Sequence, residues 1–441
     1  MDGRPLHPSE EQNSIGIWLT GAIVVGTMIG SGIFMLPVSL APLGANVIAG
    51  WILSSSGAMC IAFALARLSR LGGNGIQANV EHQLGPASGF VVAWAFWVSS
   101  WSAQAAVAIA GASALSFVSP VMSGDVFVMS VAIASVVFFT GLNGLGVRVS
   151  GIASVITIAI RLVPLAGVIL VLALRWLQTK HLEPLAPSPS TVENLASATA
   201  LTFFALTGFE NATTPVGKVR DPSRTIPRAI IGGTLFVAVV YLFASTAVQL
   251  LLPARIVAKS PAPFAEVIGA QWGGGAASLM AVCIAVAAFG CLNALILGTG
   301  ELGYAMGLRR DLPAIMARTV RGNTPVAAQI VGSALSIFLI LANSSRGGAS
   351  LFKFIILLST SAALVLYLAG ALAAWRLVAS TRAKAVLLGA FLFIAFALYG
   401  SGFDADAWCL VLLAIGLTLR AVLHRVNAAR DARTALLAPS E

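Results

Sequence analysis

Charge is scarce in this sequence. Only 10% of its 441 residues are Asp, Glu, Lys or Arg, 58% are hydrophobic, and the mean hydropathy is +0.93. A water-soluble domain of this size exposes far more charge, so the composition places the chain among polytopic membrane proteins. Histidine and cysteine are sparse too, at four residues each. Cys60, Cys283, Cys291 and Cys409 lie in apolar runs without CxxC spacing. That excludes a disulfide framework or metal site and leaves them as small buried hydrophobes. All four histidines lie outside the apolar runs or at their edges. A membrane-embedded enzyme would need a nucleophile–base pair or metal cluster there, and no cofactor is implied. Polar stretches are too short for a soluble domain, and the first apolar segment lacks a signal-peptide cleavage site, so it reads as a span.

What is present is a succession of apolar runs, each near the 20 or so residues a span requires. Twelve can be read, at 14–41, 45–68, 86–118, 126–144, 150–174, 194–217, 227–251, 275–306, 325–343, 350–374, 383–400 and 405–424. The third and eighth exceed a straight span, which predicts tilt or continuation beyond the bilayer. With the N-terminus inside, most of the 26 Lys and Arg residues fall on the even-numbered loops and the two tails. Arg175, Lys180, Arg255, Lys259, Arg346 and Lys353 fall on outer loops, and Arg161 falls within a span. This bias predicts an inner (plasma) membrane protein with both termini cytoplasmic. The net charge of +10 then reflects topology and contact with anionic lipid, without a nucleic-acid partner.

Two runs are interrupted. Gly26-Thr-Met-Ile-Gly-Ser-Gly32 places three glycines inside the first, where each costs about 0.5–1 kcal/mol relative to alanine in a helix. Thr207-Gly-Phe-Glu-Asn211, followed by Pro215, places a glycine, a carboxylate and an amide inside the sixth. Open backbone at mid-membrane depth is tolerated only inside protein or along a cavity. The Pro-rich linker at 175–193 separates a first five-span half (14–174) from a second (194–374), so the two breaks occupy corresponding places. Broken segments in corresponding positions point to a midplane binding site in an inverted-repeat transporter. The remainder divides into a cytoplasmic tail at 1–13, two further helices at 375–424 and a cytoplasmic tail at 425–441.

The motifs resemble those of the amino acid–polyamine–organocation superfamily, and within it the basic amino acid/polyamine antiporters of the arginine/agmatine type. Residues 26–37 fit its G-x-x-[IM]-G-[ST]-G-[IV]-F-x-x-P pattern. Phe204-Ala-Leu-Thr-Gly-Phe-Glu210 is similar to its sixth-span motif, and Lys218-Val-Arg-Asp-Pro-Ser-Arg-Thr-Ile-Pro-Arg228 to the loop that follows. Arg309-Arg-Asp-Leu-Pro313 with Asn323-Thr-Pro325 resembles the loop between spans eight and nine. The resemblance runs from residue 16 to about 375. It implies an all-α protein of twelve transmembrane helices: a leucine-transporter-type 5+5 inverted repeat with discontinuous helices 1 and 6, plus two C-terminal helices. It also implies alternating-access transport of amino acids or related amines.

Candidate site residues follow from both arguments. Thr27, Met28, Ile29, Ser31 and Gly32 bracket the first break, where converging N–H groups at a helix end favour a substrate carboxylate. Phe204, Ala205 and Thr207 border the second, where freed carbonyls could accept from an ammonium, and the resemblance makes Phe204 a gate. Glu210 is the candidate proton-linked group, since a carboxylate buried at that depth can gain and lose a proton during a cycle. Arg161 stays charged and could stand in for a sodium ion, which argues against sodium coupling. It could equally snorkel to the headgroups. Phe96, Trp97, Ser100, Trp101 and Gln104 share one predicted helix face, of which Ser100, Trp101 and Gln104 match family pocket positions. Asn293 and Ser359 are further polar liners, while Glu301 reads as a solvated or arginine-paired residue near the cytoplasmic end.

The chain departs from the arginine/agmatine pattern in carrying Gly298 at the matching eighth-span tryptophan position and Phe204 and Ala205 for a tryptophan and a serine. Loss of the aromatic platform removes about 0.5–2 kcal/mol of preference for a cation. With Glu210 the sole acidic residue expected in the pocket, the sequence favours a neutral or small apolar amino acid, carried by an exchanger or proton-linked permease. A cationic antiporter is the alternative, and a channel or sensor on the same fold a more distant one. A homodimer is compatible with the resemblance.

Overall fold

The computed structural model describes residues 16–30, 32–71, 75–119, 124–145, 151–210, 219, 221–320 and 324–437. Ser31, Lys218 and Arg220 lie outside them. Among the described residues there is no strand, only an isolated bridge between Val320 and Thr324. Among the described residues nine helices are long and apolar enough to cross a membrane, and a bent pair makes a tenth. That pair is α1 (Ile17–Met28) and α2 (Gly32–Leu40), set at 48° across the glycine break. The next helices are α3 (Asn46–Leu68), the short α4 (Gly75–Leu84), α5 (Pro86–Ser116), α6 (Asp125–Gly144) and α7 (Gly151–Thr179). After the linker come α8 (Val192–Leu206), α9 (Pro222–Leu251), α10 (Ala254–Val257), α11 (Pro263–Trp272) and α12 (Gly274–Leu308). The chain closes with α13 (Val326–Ala342), α14 (Gly348–Leu377), α15 (Thr381–Ser401) and α16 (Phe403–Leu437). α8 and α13 are apolar but shorter than the others.

The long third and eighth runs are the unbroken helices α5 and α12, packed on each other and joined by α6 and α13. A second group consists of α1, α3, α8 and α9. Close approach there depends on small residues, because apolar lipid gives no hydrophobic drive for helices to associate. A Cβ on Gly50 of α3 would meet Ala198 Cβ of α8 at 2.8 Å, and one on Gly233 of α9 would meet Val24 of α1 at 2.7 Å. α14 lies between the groups, touching α5 and α3, and α7 bridges α12 and α9.

The C-terminal helix is longer than the sequence suggested. Instead of a free tail from residue 425, α16 runs on to Leu437. It stays ordered because it is tied to the turn after α12. Asp311 is buried and accepts from Arg420 Nε at 2.9 Å, with His424 Nε2 and Arg309 Nε each at 3.4 Å. Arg309 also pairs with Glu81 of α4, and Arg310 Nη1 with Asp431 at 2.8 Å. These carboxylates therefore neutralise Arg309, Arg310 and Arg420.

Candidate functional site

The first break is a single tight turn. Ile29 leaves the helix at φ −73°, ψ 80°, and Gly30 N–H donates to the Met28 carbonyl at 2.7 Å, an inverse γ-turn. Helix interruption strands carbonyls that lipid cannot satisfy. Protein donors take them instead. Arg161 Nη1 donates to Gly26 O and Ile29 O, both at 3.1 Å, and Tyr241 Oη donates to Met28 O at 3.0 Å. Arg161 therefore does not snorkel. It is 6% exposed and caps the end of α1, where a cation offsets the negative end of the helix dipole.

Replacing Arg161 with methionine should consequently uncap two carbonyls at a cost of about 1–3 kcal/mol each. We expect a lowered thermal midpoint in detergent and loss of ligand binding, with Arg161→Lys intermediate. Unchanged values for Arg161→Met would show that the guanidinium does not hold the break.

The second break meets the first. α8 ends at Leu206, Thr207 is extended, and Gly208 adopts φ +114°. Thr27 Oγ1 donates to Gly208 O at 3.0 Å and to Val24 O at 2.9 Å, so one hydroxyl joins the two interruptions. Glu210, 6% exposed, accepts at Oε2 from Gly208 N–H at 2.9 Å and from Tyr367 Oη at 2.6 Å. The Tyr367 ring stacks on Phe209 with centroids 5.3 Å apart. The carboxylate thus pins the turn after α8 to α14.

Between the breaks lies a cavity of about 610 Å³. Its wall takes Thr27, Met28, Gly32, Ser100, Arg161, Phe204, Ala205, Thr207, Glu210 and Ser359 from the residues expected by sequence. Phe204 covers the start of α2: a Cβ on Gly32 would lie 2.5 Å from its ring. The Phe204 ring, the expected gate, therefore lies over the first residue of α2. Ser359 donates to Ser99 O at 2.9 Å and joins α14 to α5.

Four expected liners do not reach the cavity, and Ser31 lies outside the described residues. Ile29 is fully buried and contributes only its carbonyl to Arg161. Asn293 accepts from Asn143 Nδ2 at 2.9 Å, tying α12 to α6. Gln104 donates to Thr299 Oγ1 at 2.6 Å and Leu295 O at 3.2 Å and accepts from Ser336 Oγ at 2.9 Å, so it cements α5, α12 and α13. Trp101 is buried beside it, its carbonyl accepting from the same Ser336. The reason is rotational. The cavity stripe on α5 is Val92, Ala93, Phe96, Ser99, Ser100, Ala103 and Val107; Trp101 is turned about 100° from Ser100, while Gln104, at the edge of the stripe, is drawn to α12 and α13 by its bonds.

The structure also adds liners. Ser99, Tyr241 and Cys291 join the wall, as does Glu301. Glu301 overturns the expectation that Glu210 is the only acidic residue in the pocket. Tyrosines inside apolar spans were the available signal for Tyr241 and Tyr367, because a buried Tyr hydroxyl needs a partner. No group of metal-binding side chains occurs among the described residues.

Comparison with known proteins bears on what such a cavity serves. A family model described as amino acid permease matches residues 15–419. The chain is 30% identical to a cadaverine/lysine antiporter of Escherichia coli K12 over 346 residues, covering 76% of this chain and 77% of that protein. It is 26% identical to the putrescine transporter PotE of Haemophilus influenzae over 426 residues, 93% of this chain and 97% of the relative. PotE of Escherichia coli K12 is 25% identical over 427 residues. By their names these relatives are transporters, of cadaverine and lysine or of putrescine. The helices, the paired breaks and these likenesses lead to one assignment: the chain is a multi-pass integral membrane protein of the amino acid permease family, in the amino acid–polyamine–organocation superfamily.

Proposed function

We propose that this protein is a twelve-span secondary antiporter that exchanges a basic amino acid for a related cationic amine by alternating access. The observation that carries this reading is the cavity where the two breaks meet, with carboxylates Glu210 and Glu301 in its wall and Arg161, the one cation among its described lining residues, already bonded to main-chain carbonyls. The orphan N–H groups at the start of α2 would take the substrate carboxylate. Thr207 and the neighbouring main chain would face its amino group, with Glu210 linking the cycle to protons and Arg161 standing in place of sodium.

The inverted repeat is supported by packing that survives exchange of the halves. α3 sits on α8 through Gly50 as α9 sits on α1 through Gly233. Positive-inside bias would put both termini and the mouth formed by α4 and the lower half of α12 in the bacterial cytoplasm. On the opposite side, Phe34 packs edge-on against Phe264 of α11, centroids 5.5 Å apart, which would make this an inward-facing arrangement.

A neutral amino acid remains the second reading, favoured by Ala205 and Gly298 in the wall. Counterflow in proteoliposomes separates the two. Internal lysine or cadaverine should accelerate saturable uptake of labelled cadaverine, whereas acceleration by leucine alone would transfer the assignment to neutral substrates. Linear, unsaturable flux would indicate a channel.

A further inference from the structure

Two cations stand together at the end of the bundle opposite the mouth. The spanning helix α9 ends at Leu251, and α10, which begins at Ala254, carries Arg255, with Lys259 two residues past its end. So short a distance beyond a span puts both side chains at headgroup depth. α12 starts at Gly274, just after α11, and takes 35 residues, about 52 Å, to reach the other end at Arg309. Under the positive-inside reading this is the outer end, where topology does not call for cations.

Arg255 and Lys259 line an open hollow of about 480 Å³ with Ile256, Ser260, Pro261 and Glu266. Ser260 fixes its geometry. It is 5% exposed, and its hydroxyl donates to Glu266 Oε2 at 2.7 Å and accepts from Ala262 N–H at 3.3 Å. The two cations, by contrast, are exposed and make no hydrogen bond or ion pair among the described residues. The adjoining span is apolar toward lipid: Phe236, Val239 and Phe243 are exposed on one face of α9, and Ile256 is exposed between the cations. The hollow also adjoins α11, whose Phe264 packs on Phe34 of α2.

We propose that Arg255 and Lys259 form a binding site for the phosphate of an anionic phospholipid with a glycerol headgroup. The phosphodiester takes both cations, and headgroup hydroxyls donate to the lone pairs of Glu266 that Ser260 leaves over. Two cations against one carboxylate leave one positive charge, which a monoanionic lipid neutralises and a zwitterionic lipid does not. The site is independent of which substrate the central cavity carries, and its affinity weakens with salt.

The test is native mass spectrometry of the full-length protein, stripped of lipid in detergent and titrated with dioleoylphosphatidylglycerol. Replacing both cations, Arg255→Gln with Lys259→Gln, should weaken binding of the first lipid about five- to twentyfold, since each cation beside a headgroup contributes about a fivefold preference. The charge-conserving pair Arg255→Lys with Lys259→Arg should bind as the wild type does. So should Lys180→Gln with Lys353→Gln, which removes two cations from other outer loops. Wild-type affinity in the Arg255→Gln, Lys259→Gln pair overturns the proposal. Equal weakening in the Lys180, Lys353 pair also overturns it, because that marks bulk charge and not a site. Equal affinity of the wild type for dioleoylphosphatidylethanolamine would remove the anionic requirement and with it the proposal. Displacement of the lipid by inorganic phosphate would give the site to a free anion and overturn it as well.

Discussion

Substituting alanine for Gly208 should abolish exchange. Gly208 holds φ +114°, a conformation that costs an L-residue about 1–3 kcal/mol. An added Cβ would also lie 2.8 Å from the Thr27 carbonyl oxygen, which is main chain and cannot swing aside. The two costs act on one spot, the contact at which Thr27 Oγ1 bonds the Gly208 carbonyl. Relief requires the two broken spans to separate, and that distorts both halves of the central site together. We expect at least a tenfold loss of uptake and of ligand-induced thermal stabilisation. Gly232→Ala is the control, since a Cβ there meets nothing within 4 Å and the position is exposed on α9. Wild-type exchange by Gly208→Ala would mean that contact between the breaks is not required for transport.

Glu210→Gln should flatten the dependence of transport on pH while the protein still folds. The geometry makes this substitution unusually clean. The carboxylate uses Oε2 to accept from Gly208 N–H and Tyr367 Oη, and a glutamine carbonyl oxygen can accept both. These two bonds are kept, and the side chain can no longer exchange a proton. Tyr367→Phe supplies the complementary measurement, removing one donor and leaving the titratable group. Rates across about pH 5–8 should vary for wild type and Tyr367→Phe and stay level for Glu210→Gln. A wild-type pH profile in Glu210→Gln would assign the residue to capping alone.

The breaks and the cavity wall differ in how far the sequence announced them. Glycines at 26, 30 and 32 and the Gly208–Glu210 pair are local statements, because chain interruption costs energy wherever it occurs and lipid makes that cost plain. Facing is another matter. α5 and α12 are apolar around their whole circumference, so polar residues on them mark no single stripe. Ser100 and Trp101 are neighbours in sequence, yet one borders the cavity and the other is buried beside Ser336 of α13. Gln104 and Asn293 look like ligand contacts for the same reason, yet Gln104 bonds α12 and α13 and Asn293 bonds α6.

Sequence alone determined that the chain is a multi-pass membrane protein and that its first apolar run is interrupted at the glycines, since hydropathy and helix propensity are properties of short segments. Only the tertiary structure decided that Arg161 caps the first break, that Glu210 is held by Tyr367, and that Glu301 belongs to the cavity wall. Those outcomes depend on which helices stand side by side and how each is rotated, and a rotation of a single residue, about 100°, moves a side chain from ligand to packing.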